Sequence, residues 1–322
     1  MASDFYIPKT ISAEAQSVLN SFTFANRDVL DFPEPDDLEG WKKIQQMRID
    51  AFGPVNEKVK KEYQPTIEEK ELGGIPVLDI KPKGWKDNGK LLVYTHGGGY
   101  TQHNVHTTLP FSVCVADKTG LNVIAIDYTL APLAKHDQMS DQVVAVFKAL
   151  LEQGRKLENI ALYGDSAGGG LASGSVLKMR DQGVGMPAAL VLWSPWADID
   201  QNCGDSYFAL RDIDPLLSYE NELGKSALAC ADPKDWKNPY VCSVYGDFSK
   251  GYPPTFIQVG TKEIFLSCSI RLYHALNNAG QTVKLELFDG MWHVFQGLNY
   301  DIPESETARE NMAKFLKEYL KY

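Results

Sequence analysis

The run Tyr163-Gly164-Asp165-Ser166-Ala167-Gly168-Gly169-Gly170 constrains this chain more than any other stretch. It follows Asn159-Ile160-Ala161-Leu162, an apolar run that reads as a short buried strand. It precedes Leu171-Ala172-Ser173-Gly174-Ser175-Val176-Leu177, which reads as a helix of small residues packed close to a sheet. A serine at such a tight strand-to-helix turn sits in strained backbone, and neighbours with side chains would clash. The turn lifts the hydroxyl clear of the sheet. It also aims the next helix N-terminus at the hydroxyl, where amide groups and the helix dipole favour negative charge. G-x-S-x-G in this setting is a nucleophile-elbow pattern. Taken alone, it also fits a glycine-rich turn with an incidental serine.

The rest of the chain supplies the frame for that turn. Ser12 to Phe22 and Leu38 to Phe52 read as helices, separated by the proline-marked loop Asp31 to Asp36. These two helices could be a lid over a site or an arm packed on the core. From Ile67 the pattern turns to strands. Ile67 to Leu72 and Ile75 to Ile80, joined by Gly73-Gly74, read as a hairpin. Further strands are expected at Lys90 to Thr95, Leu121 to Asp127, Ala188 to Trp193, Thr255 to Val259 and Val283 to Phe288. With the elbow strand they make eight. Helices are expected at Asp137 to Gln153, Ile264 to Ala279 and Pro303 to Tyr319. Strands alternating with helices imply an α/β fold with a mostly parallel sheet flanked by helices. The interval from Trp196 to Pro254 has no strand-like run and reads as an insertion, helical in part, with Asp214 to Ser218 as one possible helix start.

Composition excludes several classes. The chain has 322 residues and a formal net charge of −10, which disfavours binding to a phosphate backbone. No apolar run approaches the roughly 20 residues that span a bilayer. The first residues lack the basic and apolar regions of a secretory signal. The five cysteines are scattered, with no C-x-x-C pair, so they read as reduced thiols of a cytoplasmic protein and not as a zinc site.

A serine nucleophile needs a base, the base needs an orienting acid, and the oxyanion needs donors. His96-Gly97-Gly98-Gly99 directly follows the third strand and resembles an oxyanion loop. The expected donors are the amides of Gly98, Gly99 and Ala167. The partners of an elbow serine follow it in the chain, acid before histidine. That order sets aside His96, His103, His106 and His136, and His274 falls inside an expected helix. His293, in Asp289-Gly290-Met291-Trp292-His293 after the last strand, is the expected base. Glu263 follows the seventh strand and is the expected acid; Asp289 shares the histidine's own loop, and Asp247 precedes the strand. Tyr100, Trp196 and Trp292 are expected to line an apolar pocket, within a wider set that includes Phe5, Tyr6, Phe22, Phe24, Tyr207 and Phe208.

At this point the chain resembles the hormone-sensitive-lipase family of α/β-hydrolase-fold esterases. The matching pieces are His96-Gly97-Gly98-Gly99-Tyr100, Asp127-Tyr128-Thr129-Leu130-Ala131-Pro132, Gly164-Asp165-Ser166-Ala167-Gly168-Gly169, Ser194-Pro195-Trp196 and Gly290-Met291-Trp292-His293-Val294-Phe295, in family order. The resemblance implies a catalytic domain over residues 61–322, with residues 1–60 and the insertion 197–253 forming a helical cap. It also implies that Asp127 braces the glycine loop. The implied activity is hydrolysis of small to medium carboxylic esters, with lactones or small amides as alternatives and acyl transfer to another acceptor as a third. No metal or organic cofactor is implied, and a homodimer is left open. Some plant members bind a small hormone and lack the histidine; here Ser166, Glu263 and His293 are all present. Glu263 stands where Asp is commoner, a choice shared by a subgroup. Ser267-Cys268 replaces a frequent acidic pair, Tyr128-Thr129 replaces Tyr-Arg, and Thr101-Gln102-His103-Asn104 lacks a common glycine.

Overall fold

The computed structural model describes residues 3–322. The chain opens with α1 (Ala13–Ser21), α2 (Phe24–Arg27) and α3 (Leu38–Tyr63). Next come β1 (Thr66–Leu72), β2 (Ile75–Lys81), β3 (Leu91–Thr95), α4 (Leu109–Thr119), β4 (Asn122–Ile126) and α5 (His136–Glu152). The elbow is the junction of β5 (Ile160–Asp165) and α6 (Ser166–Asp181), followed by β6 (Ala189–Trp193). The insertion after β6 carries α7 (Ser206–Ala209) and α8 (Gly224–Cys230). The chain ends with β7 (Thr255–Lys262), α9 (Leu266–Asn278), β8 (Val283–Trp292), α10 (Phe295–Leu298) and α11 (Pro303–Leu320).

All eight strands form one sheet in the order β1-β2-β4-β3-β5-β6-β7-β8. β2 pairs antiparallel with β1 and with β4, and every other pairing is parallel. The β1–β2 turn is two residues long, and Gly73 and Gly74 both take positive φ. That is the geometry a tight hairpin needs and glycine adopts freely.

Alternate residues of the central strands feed two separate cores. Val93, Leu162, Leu190 and Ile257 pack with Phe147 of α5, Leu171 of α6 and Leu272 of α9. Leu92, Tyr94, Tyr163, Val191 and Phe256 pack with Val113 of α4 and Leu316 of α11. Both faces are therefore covered, which is why these strands read as continuous apolar runs.

Several expectations change. α3 does not stop before Pro54 but runs to Tyr63. Proline costs one helix bond, and tertiary anchors on both sides offset it: Trp41 and Ile44 before, Val59 and Asn56 after, with Asn56 Nδ2 donating to the His106 carbonyl at 2.6 Å. α3 thus continues across position 60, the expected end of the N-terminal segment. α4 has no counterpart in the periodicity because nearly all its residues are buried, so no polar face marks it. Asp214–Ser218 starts no helix; the next helical turn begins at Tyr219. β8 runs through Asp289-Gly290 to Trp292, with a register shift against β7 between Gly260 and Lys262. The glycine that reads as a loop marker is part of this irregular strand end, with Gly290 at φ +71°.

Candidate active site

The parallel strands bring their C-terminal ends to one edge, and the candidate residues sit there. Ser166 closes β5 and starts α6 with φ +53°, in the left-handed region that a non-glycine residue rarely occupies. The surrounding glycines hold that turn. A Cβ on Gly164 would strike the Gly168 carbonyl, and one on Gly168 would strike the backbone carbonyls of Thr95 and His96. Gly168→Ala is therefore expected to destabilise the protein by at least about 1–3 kcal/mol, the range for overpacking against atoms that cannot swing away. Urea denaturation checks this; an unchanged midpoint would mean that β3 and α6 have room to separate.

His293 follows β8, and Glu263 follows β7, its neighbour in the sheet. With its proton on Nδ1, His293 donates to Glu263 Oε2 at 2.8 Å. The other carboxylate oxygen, Oε1, accepts from the Gly260 amide at 2.6 Å and from Ser194 Oγ at 2.8 Å. Ser194 Oγ in turn accepts from the Val294 amide at 3.2 Å. One hydroxyl at the end of β6 thus ties the acid to the residue after the histidine. Ser194 and Val294 both take φ +46°, so this junction is strained on two sides. Glu263 is 0% and His293 4% exposed, and the Phe265 ring meets the imidazole edge to face at 5.0 Å.

A cavity of about 210 Å³ joins these parts. Ser166 and His293 line it together with Gly97, Gly98 and Gly99. Gly98 and Gly99 have φ of +108° and +60°. The Gly98 carbonyl accepts from the amides of Thr101 and Gln102, closing the turn. Among the described residues, neither the Gly98 nor the Gly99 amide has an acceptor. Ala167 is the second residue of α6, where helix amides have no intrahelical partner.

The brace of this loop is not Asp127. Its side chain accepts one long hydrogen bond, from the Val105 amide at 3.5 Å, and acts on His96 only through its charge. The loop is held instead by Tyr128, whose hydroxyl donates to the His96 carbonyl at 2.7 Å, and by Asp165. Asp165 Oδ1 accepts from the Gly97 amide at 3.0 Å and from the Tyr94 hydroxyl at 2.6 Å. Asp165 belongs to the elbow itself, so one residue fastens the nucleophile turn to the glycine loop.

Burial pushes the Asp165 carboxyl up to about 6, against the opposing pull of those two bonds. A raised acid favours the protonated form in the folded state. Its stabilising contribution is full below the ordinary value of 3.8 and is lost as pH rises through about 6. Asp214, also buried, is raised to about 6 with the same sign. Asp165→Asn keeps an acceptor where Oδ1 stands. We expect it to flatten the fall in urea midpoint between about pH 4 and pH 6, with the Asp214 share remaining. An unchanged slope would mean that Asp165 does not titrate in that window.

The aromatic pocket expected from Tyr100, Trp196 and Trp292 is a correction: all three are 0% exposed and belong to cores. Tyr100 and Trp196 stack at 5.7 Å, with Trp196 Nε1 donating to the Tyr207 hydroxyl at 2.9 Å. Trp292 packs with Phe22 and Phe295 under α1. Tyr6 and Phe208 lie exposed. The apolar part of the cavity lining is instead supplied by Leu216, Leu217 and Leu223 of the insertion, with Val294, Leu298 and the rings of Phe52 and Phe111. Asp289, the rival acid, is exposed on β8 and accepts from Thr10 Oγ1 at 2.9 Å. Ser194 and Asp165 have a faint sequence signal, as polar residues ending apolar strands; the aliphatic lining has none.

Comparison with known proteins agrees with this geometry. Residues 92–297 match the family model described as the alpha/beta hydrolase fold, so the chain belongs to the α/β-hydrolase fold family. An esterase of Acinetobacter venetianus is 32% identical over 253 residues, covering 78% of this chain and 82% of that protein. An acetyl-hydrolase of Streptomyces hygroscopicus is 33% identical over 256 residues, covering 76% of this chain and 84% of that protein. Among solved structures, an esterase called E25 superposes with a TM-score of 0.90 at 27% identity, over 98% of this chain and 96% of that one. An esterase of the bacterial hormone-sensitive lipase family superposes with a TM-score of 0.78 at 28% identity, over 87% and 98%. These neighbours fit the branch that the motifs resemble.

Proposed function

We propose that this protein hydrolyses carboxylic esters through an acyl-enzyme formed on Ser166. The observation that carries the proposal is the contact of His293 Nδ1 with Glu263 at 2.8 Å, in a histidine that shares a cavity wall with Ser166 and the glycine loop. Ser166 Oγ attacks the ester carbonyl carbon, and His293 Nε2 takes its proton. Glu263 holds the imidazole with Nε2 toward the serine and stabilises the imidazolium. The amides of Gly98, Gly99 and Ala167 receive the developing oxyanion, each such donor typically contributing about 10²–10³ in rate. Collapse expels the alcohol, which takes the proton from His293. Water, activated by the same imidazole, then attacks the acyl carbon and frees Ser166. Every step uses groups of this chain and needs no metal or organic cofactor.

The segments 1–60 and 197–253 act together as a cap in this reading, since both contribute side chains to the cavity. A cavity of about 210 Å³ favours a small to medium acyl group, and one relative is named an acetyl-hydrolase. Five free thiols, four of them buried, suit a cytoplasmic setting. A lactone engages the same atoms and is the nearest alternative substrate. A panel of nitrophenyl esters from acetate to decanoate, with simple lactones alongside, tests the proposal. Turnover should peak among the short esters. A folded protein that cleaves no ester would overturn it.

A further inference from the structure

Three polar side chains from three separate segments are strung together in the wall of the Ser166 cavity. Arg48 comes from α3, Gln102 from the stretch after the glycine loop and Glu222 from the insertion. Arg48 Nε and Nη2 both donate to Gln102 Oε1, at 3.0 and 2.8 Å. Gln102 Nε2 donates to Glu222 Oε1 at 2.6 Å. A neutral amide therefore bridges opposite charges. Hydrogen bonds to ionised groups are roughly twice as strong as neutral ones, which makes this chain a firm strut. Burial pushes the Glu222 carboxyl up, and the charge of Arg48 opposes that shift.

Behind the strut lies a second cavity. Arg48, Leu216 and Glu222 face both spaces and so form the partition between them. The far side carries Phe22, Leu30, Phe32 and Pro215 as its apolar part, with Ser21, Asn26 and Arg27 on its polar part, and the serine chemistry does not touch it. A hydrocarbon chain growing from the reacting carbonyl meets the partition first. It cannot replace the bonds that Gln102 makes, and displacing them would leave buried polar groups unpaired, which is costly.

We propose that the Arg48–Gln102–Glu222 strut, with Leu216, fixes the longest ester chain this protein accepts. The cavity behind it is the subsite that a longer chain enters once the partition is shortened. The inference rests on the ester-hydrolase reading and adds the specificity determinant to it.

The test uses Arg48→Ala and Leu216→Ala in the full chain, with circular dichroism to confirm folding. Arg48→Ala removes one end of the strut; Leu216→Ala opens the same partition while leaving every bond of the strut in place, and so carries the test if the first variant does not fold. Two ester series separate the two arms of the substrate: nitrophenyl esters of growing acyl length, and acetates of growing alcohol length. One methylene accepted by an apolar pocket is worth roughly 10- to 200-fold in kcat/KM. Each variant should therefore raise the octanoyl-to-butyryl ratio, or the octyl-to-butyl ratio, at least about tenfold over wild type. Adding Asn26→Trp, which fills the second cavity from its other side, should reverse the gain in the Arg48→Ala background. Folded variants that cleave acetate but keep both ratios within about twofold of wild type would overturn the partition. Failure of the wild-type protein on every ester would instead overturn the hydrolase reading, and the inference with it.

Discussion

Ser166→Ala should lower kcat on nitrophenyl acetate by about six orders of magnitude, the scale on which loss of a catalytic serine acts in triad enzymes. The change removes one oxygen and adds no bulk. The residue left behind must still adopt φ +53° at the elbow, a strain that alanine and serine share. Ser166 is 6% exposed and its side chain lines the cavity, so no core contact is lost. The expected melting temperature is therefore close to that of the parent. Purified variant, assayed at high enzyme concentration against a mock purification, gives the reading. Retention of more than a few per cent of the rate would mean that Ser166 is not the nucleophile.

Glu263→Gln carries the second largest effect. Glu263 Oε1 is occupied by the Gly260 amide and Ser194 Oγ, and both bonds need an acceptor. The glutamine carbonyl oxygen takes that place, which leaves the amide nitrogen facing His293 Nδ1. Two donors cannot face each other, so the imidazole must carry its proton on Nε2, where it cannot receive one from serine. Substitution of this kind in a serine triad costs on the order of 10⁴ in kcat while the geometry persists. Steady-state kinetics should therefore show that loss with KM little altered. Asp289→Asn is the control. Its partner is Thr10 on the surface, and changes at exposed sites usually stay within about ±0.5 kcal/mol. If Asp289→Asn lost the activity and Glu263→Gln kept it, the assigned acid would be wrong.

The legible parts of this chain were those whose signal is local. Short continuous apolar runs and the Gly73-Gly74 turn mark the sheet, because cores press on both of its faces and the turn needs positive φ. The elbow glycines mark Ser166, because backbone carbonyls leave no room for a Cβ at Gly168. Chain order then singles out Glu263 and His293, whose strands are neighbours in the sheet. What stayed hidden depends on contacts between distant segments. α4 is buried all round and shows no period. Asp127 and Asp165 both end apolar strands, and only the fold reveals that Asp165 reaches the Gly97 amide. Tyr100, Trp196 and Trp292 sit beside the motifs in sequence, yet their size sends them into cores, while leucines of the insertion reach the cavity. The strut from Arg48 to Glu222 joins residues 174 positions apart by number, 222 less 48, and no local pattern announces it.

The most direct test of the central claim is covalent. A fluorophosphonate places phosphorus where the ester carbonyl would lie, and a serine oxygen displaces fluoride only where a base can take its proton and donors can hold the phosphoryl oxygen. Intact-mass measurement followed by peptide mapping of the labelled wild-type protein should find one adduct, on Ser166, and much slower labelling in Glu263→Gln. An adduct on another serine, or none under conditions that label a known serine esterase, would contradict the account.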